Sequence, residues 1–417
     1  MRRIAWLLLL LFAFTIPWEF SLNLGEPLGN AARIAGILIL LASVPAVLQA
    51  GRMRIPSAFS WFTLVLYLWL CCTCFWSVDL MASLVKLRAY FQEMMIVWLV
   101  WEFADTPENL RDLLRATVAG SWVLALLTLA ALRSPEAIAA GQIRFAAYGQ
   151  DPNDVARFLD LGFPIAALLL HCERRWRWRL VAIGFLPVGI AAVLLTASRS
   201  GLLAALVALA GSLLLLAHGH ARRVVAAAFS LPPFCAALWL IVPAGTIGRL
   251  ATIPEQLQGG DLNQRINIWT AGWDAFAHSP LIGSGVGCFV AAARTAPIDT
   301  AHNTVLSILV AGGLCALFLA SLLVALAARA AFECPGLLRL ALLTCLLVWA
   351  ITSLIASIEE NRMTWLLFGF ALLAARLSEE DPEGLAGCFR LAPPGLPGSS
   401  ARALNPAGGG VTSHVTL

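Results

Sequence analysis

Leu180-Val-Ala-Ile-Gly-Phe-Leu-Pro-Val-Gly-Ile-Ala-Ala-Val-Leu-Leu-Thr-Ala-Ser-Arg199-Ser-Gly-Leu-Leu-Ala-Ala-Leu-Val-Ala-Leu-Ala-Gly-Ser-Leu-Leu-Leu-Leu-Ala217 carries a single charged side chain, Arg199. On each side of Thr196–Gly201 lies an apolar run close to the roughly 20 residues that a helix needs to cross a bilayer. The stretch therefore reads as two spanning helices with almost no linker. The same pattern recurs along the chain. Hydrophobic residues make up 60% of the 417, charged residues 12%, and mean hydropathy is +0.83. A soluble domain carries about 25% charged residues. Twelve runs fit, at roughly 4–20, 32–50, 57–76, 90–104, 116–132, 155–171, 180–196, 200–217, 224–243, 303–327, 340–357 and 362–376. The sequence therefore predicts an all-α polytopic membrane protein of about twelve transmembrane helices. The first run, after Met1-Arg2-Arg3, lacks a small-residue cleavage site and reads as a retained helix rather than a signal peptide.

Arginine sets the orientation. With the N-terminus cytoplasmic, alternate short connections hold Arg52/Arg54, Arg111/Arg115, Arg174/Arg175/Arg177/Arg179, Arg222/Arg223 and Arg329/Arg339. That is the positive-inside pattern. Residues 1–377 form the transmembrane domain, and a large periplasmic loop at 244–301 holds an amphipathic helix. From Ser378 to 417 the chain, rich in Pro and Gly, is expected to be a disordered cytoplasmic tail. The opposite face has thinly spread bases: Arg33, Lys86, Arg88, Arg133, Arg144, Arg157, Arg199, Arg249, Arg265, Arg294 and Arg362. The net charge of +4 is topogenic and implies no nucleic acid. The ten cysteines lie almost wholly inside apolar runs, Cys288 being the one in the long loop. Cys71-Cys72-Thr73-Cys74 lacks the His or second Cys pair of a metal site and reads as helix packing.

Four stretches at the external face carry groups suited to chemistry. In Arg144-Phe-Ala-Ala-Tyr-Gly-Gln-Asp-Pro-Asn153-Asp-Val-Ala-Arg157, Asp151 or Asn153 can cap a helix that Pro152 starts. Arg157, one turn in, is costly near lipid without a partner. Thr196-Ala-Ser-Arg199-Ser-Gly201 places a permanent cation between small residues, at a helix junction away from the side where lipid-anchoring bases gather. Arg265, Trp269, Trp273 and Phe276 recur at helical spacing, as in a helix lying along the membrane surface with tryptophans at headgroup level. Pro280, Gly283, Gly285 and Gly287 should end it in a flexible turn, a weak phosphate signal by themselves. His302, in Asp299-Thr-Ala-His302-Asn303, is alone among six histidines at the external mouth of a spanning helix. A single interfacial histidine is ordinarily just polar; beside two arginines it becomes a proton acceptor near neutral pH. Guanidinium forks bind a diphosphate bidentately and stabilise it as it departs, while a neutral imidazole takes a proton from an attacking hydroxyl.

These ordered elements resemble the O-antigen ligase and polymerase superfamily of bacterial membrane glycosyltransferases, most nearly the lipopolysaccharide O-antigen ligases. The resemblance rests on Gly149-Gln-Asp-Pro-Asn153, Thr196-Ala-Ser-Arg199-Ser-Gly201, Arg265-Ile-Asn-Ile-Trp269, Pro280-Leu-Ile-Gly283-Ser-Gly285-Val-Gly287-Cys-Phe289, and His302-Asn303 followed by Gly312-Gly313-Leu314. It spans residues 140–315. The resemblance implies transfer of a glycan from undecaprenyl diphosphate to a hydroxyl of lipid A-core at the periplasmic face of the bacterial inner membrane. In that scheme His302 activates the acceptor, Arg199 and Arg265 hold the diphosphate, and Lys86, Arg88, Arg157 and Asn153 are further substrate-binding candidates. The mechanism it implies is inverting, with no cofactor and no metal. O-antigen polymerase and protein O-oligosaccharyltransferase use the same donor and stay as alternatives. An anionic-lipid transporter is the competitor from another class, although transporters hold their charges near the midplane in broken helices.

Overall fold

The computed structural model describes residues 1–25, 29–218, 234, 236–255, 265–296 and 300–390. Its helices are α1 (Arg2–Thr15), α2 (Ala31–Ala50), α3 (Ala58–Cys72), α4 (Leu80–Phe103), α5 (Pro107–Ala131), α6 (Pro135–Ala139), α7 (Pro152–Cys172), α8 (Trp176–Leu195), α9 (Arg199–Ala217), α10 (Ala244–Ala251), α11 (Arg265–His278), α12 (Phe289–Ala293), α13 (Thr304–Glu333), α14 (Gly336–Ser353), α15 (Arg362–Glu380) and α16 (Pro382–Phe389). Among the described residues there is no strand, and every cysteine is free. Nine of the described helices are long and apolar enough to cross a membrane. Two more, α4 and α15, have the length but carry charges within it. The run expected at 224–243 lies mostly outside the described residues.

Helix α7 sits at the centre, packed by α5, α8, α9 and α14. It is buried from Val155 to Leu169, and α15 from Met363 to Leu377. The outer helices turn large apolar side chains outward, with Leu48 75% and Phe318 69% exposed. In water such a surface would be sticky; in a bilayer it is the solvated face.

Local chemistry sets the helix ends. The fourth helix begins near residue 80 rather than 90, because Asp79 accepts from the Ala82 amide and caps it. Its polar residues then find partners: Lys86 pairs with Glu360, and Glu102 with Arg2 at 2.8 Å. At the arginine-rich end Arg54 meets Asp105 at 2.6 Å, and Arg115 pairs with Glu173. The segment expected to be disordered from Ser378 is helical as far as Phe389. Asp381 caps α16 by accepting from Gly384 N, Pro382 starts it, and Leu385, Cys388 and Phe389 bury its inner face. The remainder of that tail, 391–417, lies outside the described residues.

Helix α13 is broken at Gly313, whose φ of 68° and ψ of −164° belong to glycine. The break exchanges hydrogen bonds with the turn that follows α11. Leu314 N donates to Pro280 O (2.9 Å) and Cys315 N to Leu281 O (3.3 Å), in place of carbonyls within α13. Ser284 N and Gly285 N take over the freed carbonyls of Val310 (2.8 Å) and Ala311 (3.1 Å), and Trp69 Nε1 takes Gly312 O (2.9 Å). The turn that the glycines promised to be loose is thus pinned into the bundle. Irregular backbone at membrane depth is tolerated where protein satisfies it in this way. A Cβ on Gly283 would lie 2.6 Å from Gly312 N, so the close approach requires the glycine.

Candidate functional site

Three helix starts converge at the end of the bundle opposite the arginine-rich connections. Helix α7 is capped by Asp151, which accepts from Asn153 N at 2.7 Å, with Pro152 in its first turn. Helix α13 is capped by Asn303, which accepts from Leu306 N (3.0 Å) while its own Nδ2 donates to Leu354 O (3.0 Å). Helix α11 starts at Arg265. The connection from α14 to α15 is tied in through Thr304, whose hydroxyl donates to Ala356 O (2.8 Å) and accepts from Ile358 N (3.0 Å).

Between these ends lies a cleft of ≈ 410 Å³. His302, Arg265, Lys86 and Asn153 line it, together with Asp151, Asp154, Ser307 and Glu360. His302 is half-buried and holds a left-handed φ of 46°. A non-glycine residue pays about 1–2 kcal/mol for that conformation. Two contacts sustain it. Trp269 Nε1 donates to the carbonyl of Ala301 (3.0 Å), and Thr300 Oγ1 stands 3.4 Å from His302 Nδ1. Trp269, expected to dock in the membrane, instead packs with Ile268, Ala301, Leu306 and Val310 and fixes the histidine loop, whereas Trp273 is 51% exposed. The reason is geometric: α11 lies on α13, so the side of α11 that carries Trp269 faces protein.

The predicted residues divide three ways. Arg265 is in the cleft, where burial, opposed by the charge of Asp151, holds its pKa below the ordinary value. Arg199 does not line the cleft; its Nη2 donates to Thr252 Oγ1 (2.6 Å) and its Nε to Arg249 O (3.3 Å). Arg157 does not line the cleft; it turns inward, where the cleft-lining Asp154 (3.0 Å) and the Phe158 ring satisfy its charge. Arg88, two residues from Lys86 and so across the helix, is exposed.

Sequence reasoning passed over Arg144, Arg249, Glu359 and Glu360. Arg144 Nη2 donates to Asn153 Oδ1 (3.0 Å). Burial and the charges of Arg265 and Arg199, against Asp151, lower its pKa. Burial and then the neighbouring Glu360 push the Glu359 carboxyl up to about 8. The available signal was topological: bases on the external face serve no positive-inside function, so each needs a partner or a ligand.

Residues 184–321 match the family model described as O-antigen ligase. This region is similar to that family. The matched region runs from within α8 to just beyond the α13 break, and so holds Arg199, Arg265, the glycine turn and His302. Lys86, Arg144, Asn153 and Glu360 reach the same cleft or its border from outside that region. No curated protein matches the chain.

Proposed function

We propose that the protein is a lipopolysaccharide O-antigen ligase. It transfers a glycan from undecaprenyl diphosphate to a hydroxyl of lipid A-core at the periplasmic face of the inner membrane, without a metal. The observation that carries this reading is that His302 and Arg265, from separate elements, line one cleft together with Lys86. Arg265 and Lys86 hold the diphosphate there, and the starts of α7, α11 and α13 add the positive ends of their dipoles. His302 takes the proton of the acceptor hydroxyl as its oxygen bonds to the anomeric carbon. The bond from that carbon to the diphosphate oxygen breaks on the opposite side, so configuration inverts and the electron pair leaves on the diphosphate. An apolar crevice lined by Leu66, Leu70, Ala316, Ala320 and Leu323 meets the cleft at Ala311. The donor's polyprenyl chain thus has apolar surface beside the headgroup site.

Purified protein, lipid-linked glycan and lipid A-core incubated with EDTA test the proposal: a joined product is expected. Its absence, with a polymerised glycan instead, makes the acceptor a second lipid-linked glycan and the enzyme a polymerase. One observation favours transport, namely the broken helix α13, a feature of many transporters. The ionisable groups, however, gather at the outer end of α13 and not at Gly313. Movement of labelled lipid diphosphate across vesicles, with no joined product, would decide for the transporter.

A further inference from the structure

At the end of the bundle opposite His302, a groove of ≈ 770 Å³ opens between the start of α1, the α2–α3 and α4–α5 connections and the last turn of α15. Four arginines and four carboxylates line it, so their charges sum to zero. Three of each are tied to one another. Arg2 meets Glu102 at 2.8 Å and Asp105 at 3.6 Å. Arg54 joins Asp105 (2.6 Å) to Glu380 (3.4 Å), and its backbone N–H donates to Glu102 Oε2 (2.8 Å). Arg376, itself buried, pairs with Glu380 at 3.5 Å, donates to Trp101 O (2.6 Å) and lies 4.9 Å from the centre of the Trp101 ring. One charge of each sign is left over. Arg52 and Glu379 both line the groove, are exposed, and form no ion pair among the described residues. Arg54 Nε adds a buried donor that finds no acceptor among the described residues.

A frame built this way suits neither a bare anion nor a metal ion, each of which needs an excess of one sign. A ligand that carries both signs satisfies both leftover groups. The surroundings say what else it carries. Met53 and Ile55 line the groove with their apolar side chains exposed, and Trp101, the ring type that sits at headgroup level, fixes them by donating from Nε1 to Ile55 O (3.1 Å). We infer that this groove binds the headgroup of a zwitterionic phospholipid with a primary ammonium, phosphatidylethanolamine. Its phosphate accepts from Arg52 and Arg54 Nε, its ammonium donates to Glu379, and its acyl chains lie against Met53 and Ile55. The quaternary nitrogen of phosphatidylcholine has no N–H to give Glu379, and phosphatidylglycerol has no cation at all. The site lies at the opposite end of the bundle from the cleft and does not rest on the proposed transfer.

The test uses the full chain in phosphatidylcholine nanodiscs that contain a minor fraction of phosphatidylethanolamine or phosphatidylglycerol, with retained lipid counted by native mass spectrometry. Phosphatidylethanolamine should be enriched about 10-fold over phosphatidylcholine, the worth of one charge-assisted hydrogen bond. Glu379→Gln should erase that enrichment and favour phosphatidylglycerol instead, because the groove then has a net positive charge. Arg52→Gln should weaken retention of both lipids, and Arg52→Lys should recover part of it. Both residues are exposed and outside the ion-pair network, so neither change should disturb the fold. A second readout needs no variant: phosphatidylethanolamine should raise the Tm of the wild-type protein above its value in phosphatidylcholine alone. Equal retention of phosphatidylethanolamine and phosphatidylcholine by the wild-type protein overturns the site, as does an enrichment that survives Glu379→Gln. Wild-type preference for phosphatidylglycerol also overturns it, since the groove would then be an anionic-lipid surface in which Glu379 has no part.

Discussion

Gly313→Ala should unlock the turn at 280–285 from α13 while leaving the bundle folded. Gly313 has φ 68° and ψ −164°, a region open essentially only to glycine, and alanine there costs about 1–3 kcal/mol. The added Cβ would also lie 2.3 Å from the carbonyl of Leu281 and 2.5 Å from Ile282 N, backbone atoms that must move. Their retreat breaks the bonds from Leu314 N to Pro280 O and from Cys315 N to Leu281 O, at about 0.5–1.5 kcal/mol each. The total is about 2–6 kcal/mol, offset in part by the helical bonds that a straightened α13 regains. A net of about 3 kcal/mol corresponds to roughly 100-fold more frequent opening. Hydrogen exchange in nanodiscs reads this directly: the amides of Ser284 and Gly285, which donate to Val310 O and Ala311 O, should exchange about 100-fold faster. Gly387→Ala, where an added Cβ meets nothing within 4 Å, is the control. Exchange at 284–285 within about threefold of wild type in Gly313→Ala would refute a glycine-dependent break.

His302→Ala should abolish transfer and leave binding of the lipid diphosphate donor within about threefold, measured by product formation and by ligand titration; normal turnover removes His302 from the reaction. Trp269→Phe keeps the packing but deletes the donor to Ala301 O, so kcat should fall about 10-fold with donor KM nearly unchanged, and a matching loss in both would make Trp269 a fold residue only. The Glu359 carboxyl, at about 8 in the folded protein against about 4.3 for an unfolded glutamate, retains its proton on folding. Its contribution to stability is therefore full below pH ~4.3 and is lost as pH rises through 8, and Glu359→Gln, which stays neutral, should flatten that loss. Thermal unfolding at pH 5, 7 and 9 checks it; equal slopes in both proteins count against a buried, protonated Glu359.

Long apolar stretches needed no partner to be legible. A bilayer imposes length and backbone pairing on each segment separately, so Leu180–Leu195 and Arg199–Ala217 declare themselves locally. The same holds for caps and turns set by neighbouring residues, such as Asp151-Pro152 and Asn303. Polar helix ends were harder. Residues 80–89 of α4 look too charged for a span because the partner of Lys86, Glu360, is 274 residues away.

The sequence by itself determined that the chain is a helical membrane protein, grouped its arginine-rich connections on alternate loops, and set Arg265 and His302 apart as candidates for chemistry. Each of these follows from length, composition and the properties of single side chains. Only the tertiary structure decided that Arg265, Lys86 and His302 share a cleft, that Arg199 gathers with Arg144 and Arg249 beside it, and that Arg157 is spent on Asp154. It also decided that the glycine turn is pinned by the break at Gly313. Those outcomes depend on which carbonyls and charges distant segments bring within hydrogen-bonding distance. Helical periodicity fixes the face of one helix and carries no information about what is packed against it.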